Sequence, residues 1–136
     1  MTKEDLRLGD IVLINKDEDV ITLGLVTEMD DNGIKSINGS YVLYSSLQPV
    51  HLRDQMTIFS ALGWRNIPGL IIDKFKKDDY TIEMVNKANE DGMVHLIIYS
   101  DKVESEDDGI HGWFDELHMV QHEFQDKFGV EFPIKI

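Results

Sequence analysis

The chain reads as an α+β protein: an N-terminal bent antiparallel sheet or SH3-like barrel, then a helix, a three-stranded meander and a C-terminal amphipathic helix. Three observations predict this. The first fifty residues carry short β-branched runs separated by polar turns, and two later segments carry apolar residues at three- and four-residue spacing. Between those segments lie strand-like runs whose connectors are short enough to make them antiparallel neighbours. The expected division is a small β-barrel-like subdomain over 1–50, followed by helix, meander and closing helix over 51–136, the two able to form one compact domain.

The elements follow in order. Asp10–Asn15 and Val20–Met29 are rich in Val, Ile and Leu, and the polar Asn15–Asp19 stretch between them suits a hairpin turn. Asp30-Asp31-Asn32-Gly33 turns the chain into Ile34–Ile37, and Asn38-Gly39 is the dipeptide favoured where two turn residues need positive φ. Tyr41–Tyr44 then returns antiparallel. Gly24, inside a strand, fits a bulge or a barrel corner. Leu52, Met56, Phe59 and Leu62 predict a helix over 52–62, stopped by Gly63. Pro68-Gly69 introduces three strands, Leu70–Phe75, Tyr80–Val85 and Met93–Tyr99. Trp113, Leu117, Val120, Phe124 and Phe128 then share one face of a helix of about sixteen residues, capped by Gly129. Val130–Ile136 reads as an edge strand, a place where strand addition joins chains.

Composition narrows the class of function. In 136 residues there are 26 acidic and 13 basic side chains, a formal charge of −13. Residues 1–50 and 101–136 are strongly acidic, while 51–100 hold seven acids against six bases. Direct nucleic-acid binding draws much of its affinity from lysine and arginine on phosphates, so it is not expected here. No run is long and apolar enough to span a bilayer, and Met1–Asp5 does not begin a secretory leader, so neither membrane nor export is expected. The absence of cysteine removes disulfides, thiol catalysis and thiolate metal sites and fits the cytoplasm.

Candidate chemistry concentrates near the C-terminus. Asp115, His118, His122 and Asp126 fall three or four residues apart, with His111 just upstream. Histidines at i and i+4 suit one metal ion, but the position after the first, where zinc proteases keep the glutamate base, is Met119. A solvated polar face of carboxylate–imidazole pairs accounts for the same residues, so no metal or other cofactor is expected. A calcium loop counted from Glu104 places Gly109 sixth but Asp115 twelfth, where a glutamate is needed. Ser45, Ser46, Ser60 and Ser100 lack the Gly-x-Ser-x-Gly setting of an activated nucleophile. What remains is surface: the carboxylates Asp101, Glu104, Glu106, Asp107 and Asp108, and the loop-proximal aromatics Trp64 and Trp113, as partner-binding residues.

Leu6-Arg7-Leu8-Gly9-Asp10-Ile11-Val12, Leu47-Gln48-Pro49-Val50-His51-Leu52, Phe59-Ser60-Ala61-Leu62-Gly63-Trp64 and Leu117-His118-Met119-Val120-Gln121 occur in an order and spacing that resembles short proteins encoded by phages and integrated mobile elements of gut Bacteroidetes. Met119, His122 and Lys127-Phe128 differ from the usual closing pattern of that group. The resemblance implies a mobile-element context and the bacterial cytoplasm, and it maps the group's recurrent histidine and glutamine onto His118 and Gln121; it carries no mechanism with it. Three functions are then in view. The first is a non-catalytic interaction protein with a protein partner. The second is an acidic nucleic-acid mimic that inhibits a host defence nuclease, as anti-CRISPR proteins do, by occupying the groove of a basic nucleic-acid-binding protein. The third is a metal-assisted hydrolase built on His111, His118 and His122.

Overall fold

The alternation of β-branched runs and turns produces strands throughout, and helix is confined to short segments. A computed structural model describes residues 1–17, 20–102 and 109–135. It is α+β: two five-stranded antiparallel sheets, the first curled into half a barrel, and a C-terminal helix. The chain divides into two compact units, Met1–Val50 with Glu116–His122, and His51–Asp115 with Glu123–Ile136.

In the first unit β1 (Ile11–Asp17), β2 (Val20–Met29), β3 (Gly33–Ser36), β4 (Tyr41–Leu43) and β5 (Leu47–Gln48) lie in the order β4-β3-β2-β1-β5. A one-turn 3-10 helix, Tyr44–Ser46, turns the chain from β4 into β5, which returns to pair with β1 through Leu13 and Gln48. The irregularity in β2 is a register shift against β3 between Val26 and Glu28. It is not at Gly24, which pairs regularly with Val12. A Cβ at position 24 would lie 2.5 Å from Ile14 Cδ1, the end of a side chain that would have to shift to make room. Of Asn38-Gly39 only Gly39 takes positive φ, so the turn is wider than a two-residue hairpin, and Ser36 N–H reaches Ser40 O. Leu6, Val12, Ile14, Val26, Ile34, Val42 and Leu47 form the buried core of the half-barrel.

The second unit holds α1 (Ile58–Ala61), β6 (Arg65–Ile67), β7 (Ile72–Lys77), β8 (Tyr80–Val85), β9 (Val94–Ser100) and β10 (Ile110–Phe114), with sheet order β10-β9-β8-β7-β6. The three expected strands are its middle, and β6 and β10 are added at the edges. Two helices are shorter than the periodicity predicts. Residues 51–57 form separate turns, in which the Leu52 amide bonds Asp115 O and the His51 ring bonds the Asp115 carboxylate. Trp113 belongs to β10, paired with His95. The closing helix α2 (Leu117–Phe128) begins four residues later, gives Leu117–His122 to the first unit and Glu123–Phe128 to the second, and ends at Gly129 with φ of 72°. Residues 130–135 are no strand: Trp64 Nε1 donates to Pro133 O, the Lys135 amide donates to Leu62 O, and Phe132 is buried.

Candidate functional site

Strand alternation sorts the second sheet into two faces. One carries Phe75, Ile82, Met84, Leu96, Ile98 and Ile110, all buried. Phe59, Trp64, Phe124 and Phe132 make the aromatic part of this core, with ring centroids 5.2–6.4 Å apart in their contacting pairs. The opposite, outer face follows from the register as three rows. Ile72 lies opposite Val85, and His95 opposite Trp113. Ile67, Lys74, Glu83, Ile97 and His111 succeed one another across all five strands. Arg65, Lys76, Thr81 and Tyr99 form the third row. This face opens to solvent at Ile67, Ile72 and Trp113, the last half-exposed at 50% with its ring in edge contact with His95.

The turn from β6 to β7 extends the apolar row. Leu70 is 100% exposed and Ile71 69%. The turn is nonetheless fixed: Asn86 Nδ2 donates to the carbonyls of Gly69 and Leu70, the Asn86 amide donates to Ile71 O, and Asp73 accepts from the Gly69 amide. A Cβ on Gly69 would fall 2.2 Å from Ile72 O, so only glycine permits so tight a turn. Three aliphatic side chains in succession are thereby held outward on a rigid frame. Scattered exposed aliphatics are ordinary, whereas a contiguous set marks contact with another molecule.

The histidines predicted to sit on a wet helix face do not. His118 is 3% exposed, with Nδ1 unbonded and 3.9 Å from the Glu116 carboxylate; burial holds its pKa below the ordinary value, against the pull of Glu116 and Asp10. His122 Nε2 lies 2.6 Å from Oδ2 of the buried Asp10, which also accepts from the Arg7 amide. Burial raises the Asp10 pKa, opposed by those two hydrogen bonds. Beside them Gln121 accepts from the Ile11 amide with Oε1 and donates to Gly9 O with Nε2, both at 2.9 Å. This polar cluster satisfies the backbone where the chain enters β1. Among the described residues no three His, Asp or Glu side chains gather as a metal site, and His111 belongs to the other unit, exposed on β10.

A cleft of about 180 Å³ in the half-barrel is lined by Glu28, Met29, Asp30, Gly33, Lys35 and Tyr41. One of its two carboxylates is occupied: Asp30 accepts from the Tyr41 hydroxyl and from the Asn32 and Gly33 amides, which lowers its pKa and pushes that of Tyr41 up to about 12. The cleft is therefore bounded by a turn whose Asp30 carboxylate and Tyr41 hydroxyl are already paired with each other.

The chain matches no protein-family model, no curated protein and no solved structure. Of the residues singled out in the sequence, Trp113 and His111 share the outer face of the second sheet. Asp101 is exposed and accepts from Thr81 Oγ1 at 2.7 Å. Trp64 is corrected from surface anchor to core residue, 2% exposed and stacked on Phe132. Glu104, Glu106, Asp107 and Asp108 lie outside the described residues. The sequence reading missed Ile67 and the Leu70–Ile72 turn, although three aliphatics directly after Pro68-Gly69 cannot all point inward from one strand, and that was the available clue.

Proposed function

We propose that this chain is a non-catalytic interaction protein of phage or mobile-element origin, acting in the cytoplasm, that docks a protein partner on the outer face of its second sheet. The observation that carries this reading is the apolar row with half-exposed Trp113 at one edge and the rigid Leu70–Ile72 turn at the other. Buried aromatic anchors dominate protein interfaces, and tryptophan is enriched among them. Among the described residues the strands of this face place three cations, Arg65, Lys74 and Lys76, beside the carboxylate Glu83, with Asp101 bonded to Thr81 at the end of β9, so on a chain of formal charge −13 the β6–β7 side of the face is locally basic. The sequence resemblance supports the mobile-element origin. Amino acids with a photo-crosslinking side chain, placed in turn at Trp113 and at the exposed Ile37 of the half-barrel, test the reading in cells. A defined protein adduct from position 113 and none from 37 is the expected result. Adducts from 37 alone would move the docking surface to the other unit.

A further inference from the structure

The outer face is polarised along the sheet. Its β6–β7 side carries aliphatics and cations: Ile67, Ile72, Lys74, Lys76 and Arg65, with the Leu70-Ile71 turn beyond. Its β9–β10 side carries His95, Ile97, Tyr99, His111 and Trp113, and neither of those strands contains a lysine or arginine. We infer that this face is self-complementary and that its occupant is a second copy of the chain, related by a two-fold axis lying between the sheets and running along the strands. The inference rests on the docking reading above and names the partner.

Such an axis reverses the strand order of one sheet over the other, so β10 of each copy faces the β6–β7 side of its mate. Trp113 then meets the Leu70–Ile72 aliphatics twice, once at each end, as an isologous contact requires. The cations of each copy meet the half of the other that has none, which avoids the like-charge facing that a perpendicular axis would impose. Sheets packed this way stand about 10 Å apart, with side chains of the two faces interdigitating. The area suffices. Ile67, Leu70, Ile71, Ile72 and Trp113 alone expose on the order of 500 Å², and the partly exposed neighbours bring the face toward the roughly 800 Å² per partner of a standard interface. Each copy carries a formal charge of −13, so repulsion between the remaining surfaces opposes pairing and salt relieves it.

Sedimentation velocity over a dilution series, at low and high salt, reads the association directly. The expected result is a monomer–dimer equilibrium that tightens with salt. Trp113→Ala, and separately Leu70→Asp with Ile71→Asp, should each raise the dissociation constant about thirtyfold, the loss of one interface hot spot. These residues are exposed, and unchanged circular dichroism confirms that the variants fold. The axis is read by crosslinking, which the cysteine-free chain makes clean. A mixture of Trp113→Cys and Ile71→Cys chains should form the mixed disulfide in preference to either symmetric one. A wild-type monomer at every concentration and salt overturns the second-copy inference, and so does association that weakens with salt or is indifferent to both variants. If that monomer still gives adducts with a different protein from position 113, the docking reading stands alone; if no adduct of any kind forms there, both fall.

Discussion

Replacing Gln121 by Ala tests whether the polar side of α2 is structural. Its amide closes two hydrogen bonds at 2.9 Å, one from the amide of Ile11 and one to the carbonyl of Gly9. Ile11 is fully buried, so water cannot replace the lost acceptor. A net hydrogen bond is worth about 1 kcal/mol, and a stranded buried N–H costs about 1–3 kcal/mol, so the substitution should destabilise the first unit by about 2–4 kcal/mol. With a urea slope of roughly 2 kcal/mol/M the midpoint falls by about 1–2 M. Urea titration followed by far-ultraviolet circular dichroism measures this, and hydrogen exchange at the Ile11 and Val26 amides localises it. Glu123→Ala, on the exposed side of the same helix, should change stability by less than about 0.5 kcal/mol. Gln121→Glu refines the test: it keeps the acceptor for Ile11 but sets a carboxylate against the Gly9 carbonyl. Its deficit relative to wild type should shrink as acid protonates that carboxyl and restores a donor. A Gln121→Ala loss under about 0.5 kcal/mol would refute the view that this glutamine secures the entry to β1.

Burial holds the His118 pKa below 6.5, so between its folded value and 6.5 the unfolded chain binds the proton and the folded chain does not. Stability is therefore complete above 6.5 and falls as pH drops through that window, and His118→Gln should flatten this part of a stability–pH profile taken by urea titration. Phe132→Ala removes a ring within 5.2 Å of both Trp64 and Phe124 and 6.1 Å of Phe59, and a loss of about 3–5 kcal/mol is expected from the same titration. Gly33→Ala would place a Cβ 2.2 Å from the Val42 carbonyl oxygen, a clash with backbone that only separation of β3 from β4 relieves. The loss, read by hydrogen exchange across the Gly33–Leu43 and Ile34–Val42 pairs, should exceed the roughly 1 kcal/mol that an alanine costs at Gly129, whose φ of 72° is unfavourable but whose surroundings are open.

The strands were legible because their cause is local. Val, Ile and aromatic runs between Asp-, Asn- and Gly-bearing turns specify β1–β4 and β7–β9 wherever they fold. The misread elements are those whose conformation is set by distant partners. Leu52, Met56, Phe59 and Leu62 have a helical spacing, yet Asp115, over sixty residues away, claims the backbone at Leu52 and the ring of His51. Ile110–Phe114 contains Gly112 and aromatics, poor helix formers, but Trp113 happens to fall in step with the apolar stripe of α2, and the period was extended one turn too far.

The same accident concealed the candidate site. With Trp113 assigned to a helix, its alternation with Phe114 could not be read, and in β10 that alternation decides everything: Phe114 turns into the core and Trp113 turns out beside His95. Once β10 is a strand, pairing carries the assignment across the sheet without further assumptions. Trp113 and His95 share a face, Ile97 and His111 share it, and through Glu83 and Lys74 so does Ile67 at the far edge. The helix polar face deceived in the opposite sense. Spacing places His118, Gln121 and His122 together, but spacing is silent about what lies against them. In the first unit that neighbour is the strand entry at Gly9–Ile11, whose amides and carbonyls need partners once water is gone. On that helix face Gln121 is taken up by the backbone at Gly9 and Ile11 and His122 by the Asp10 carboxylate, while His118 is buried, and an aliphatic turn that looks like core is what the molecule exposes.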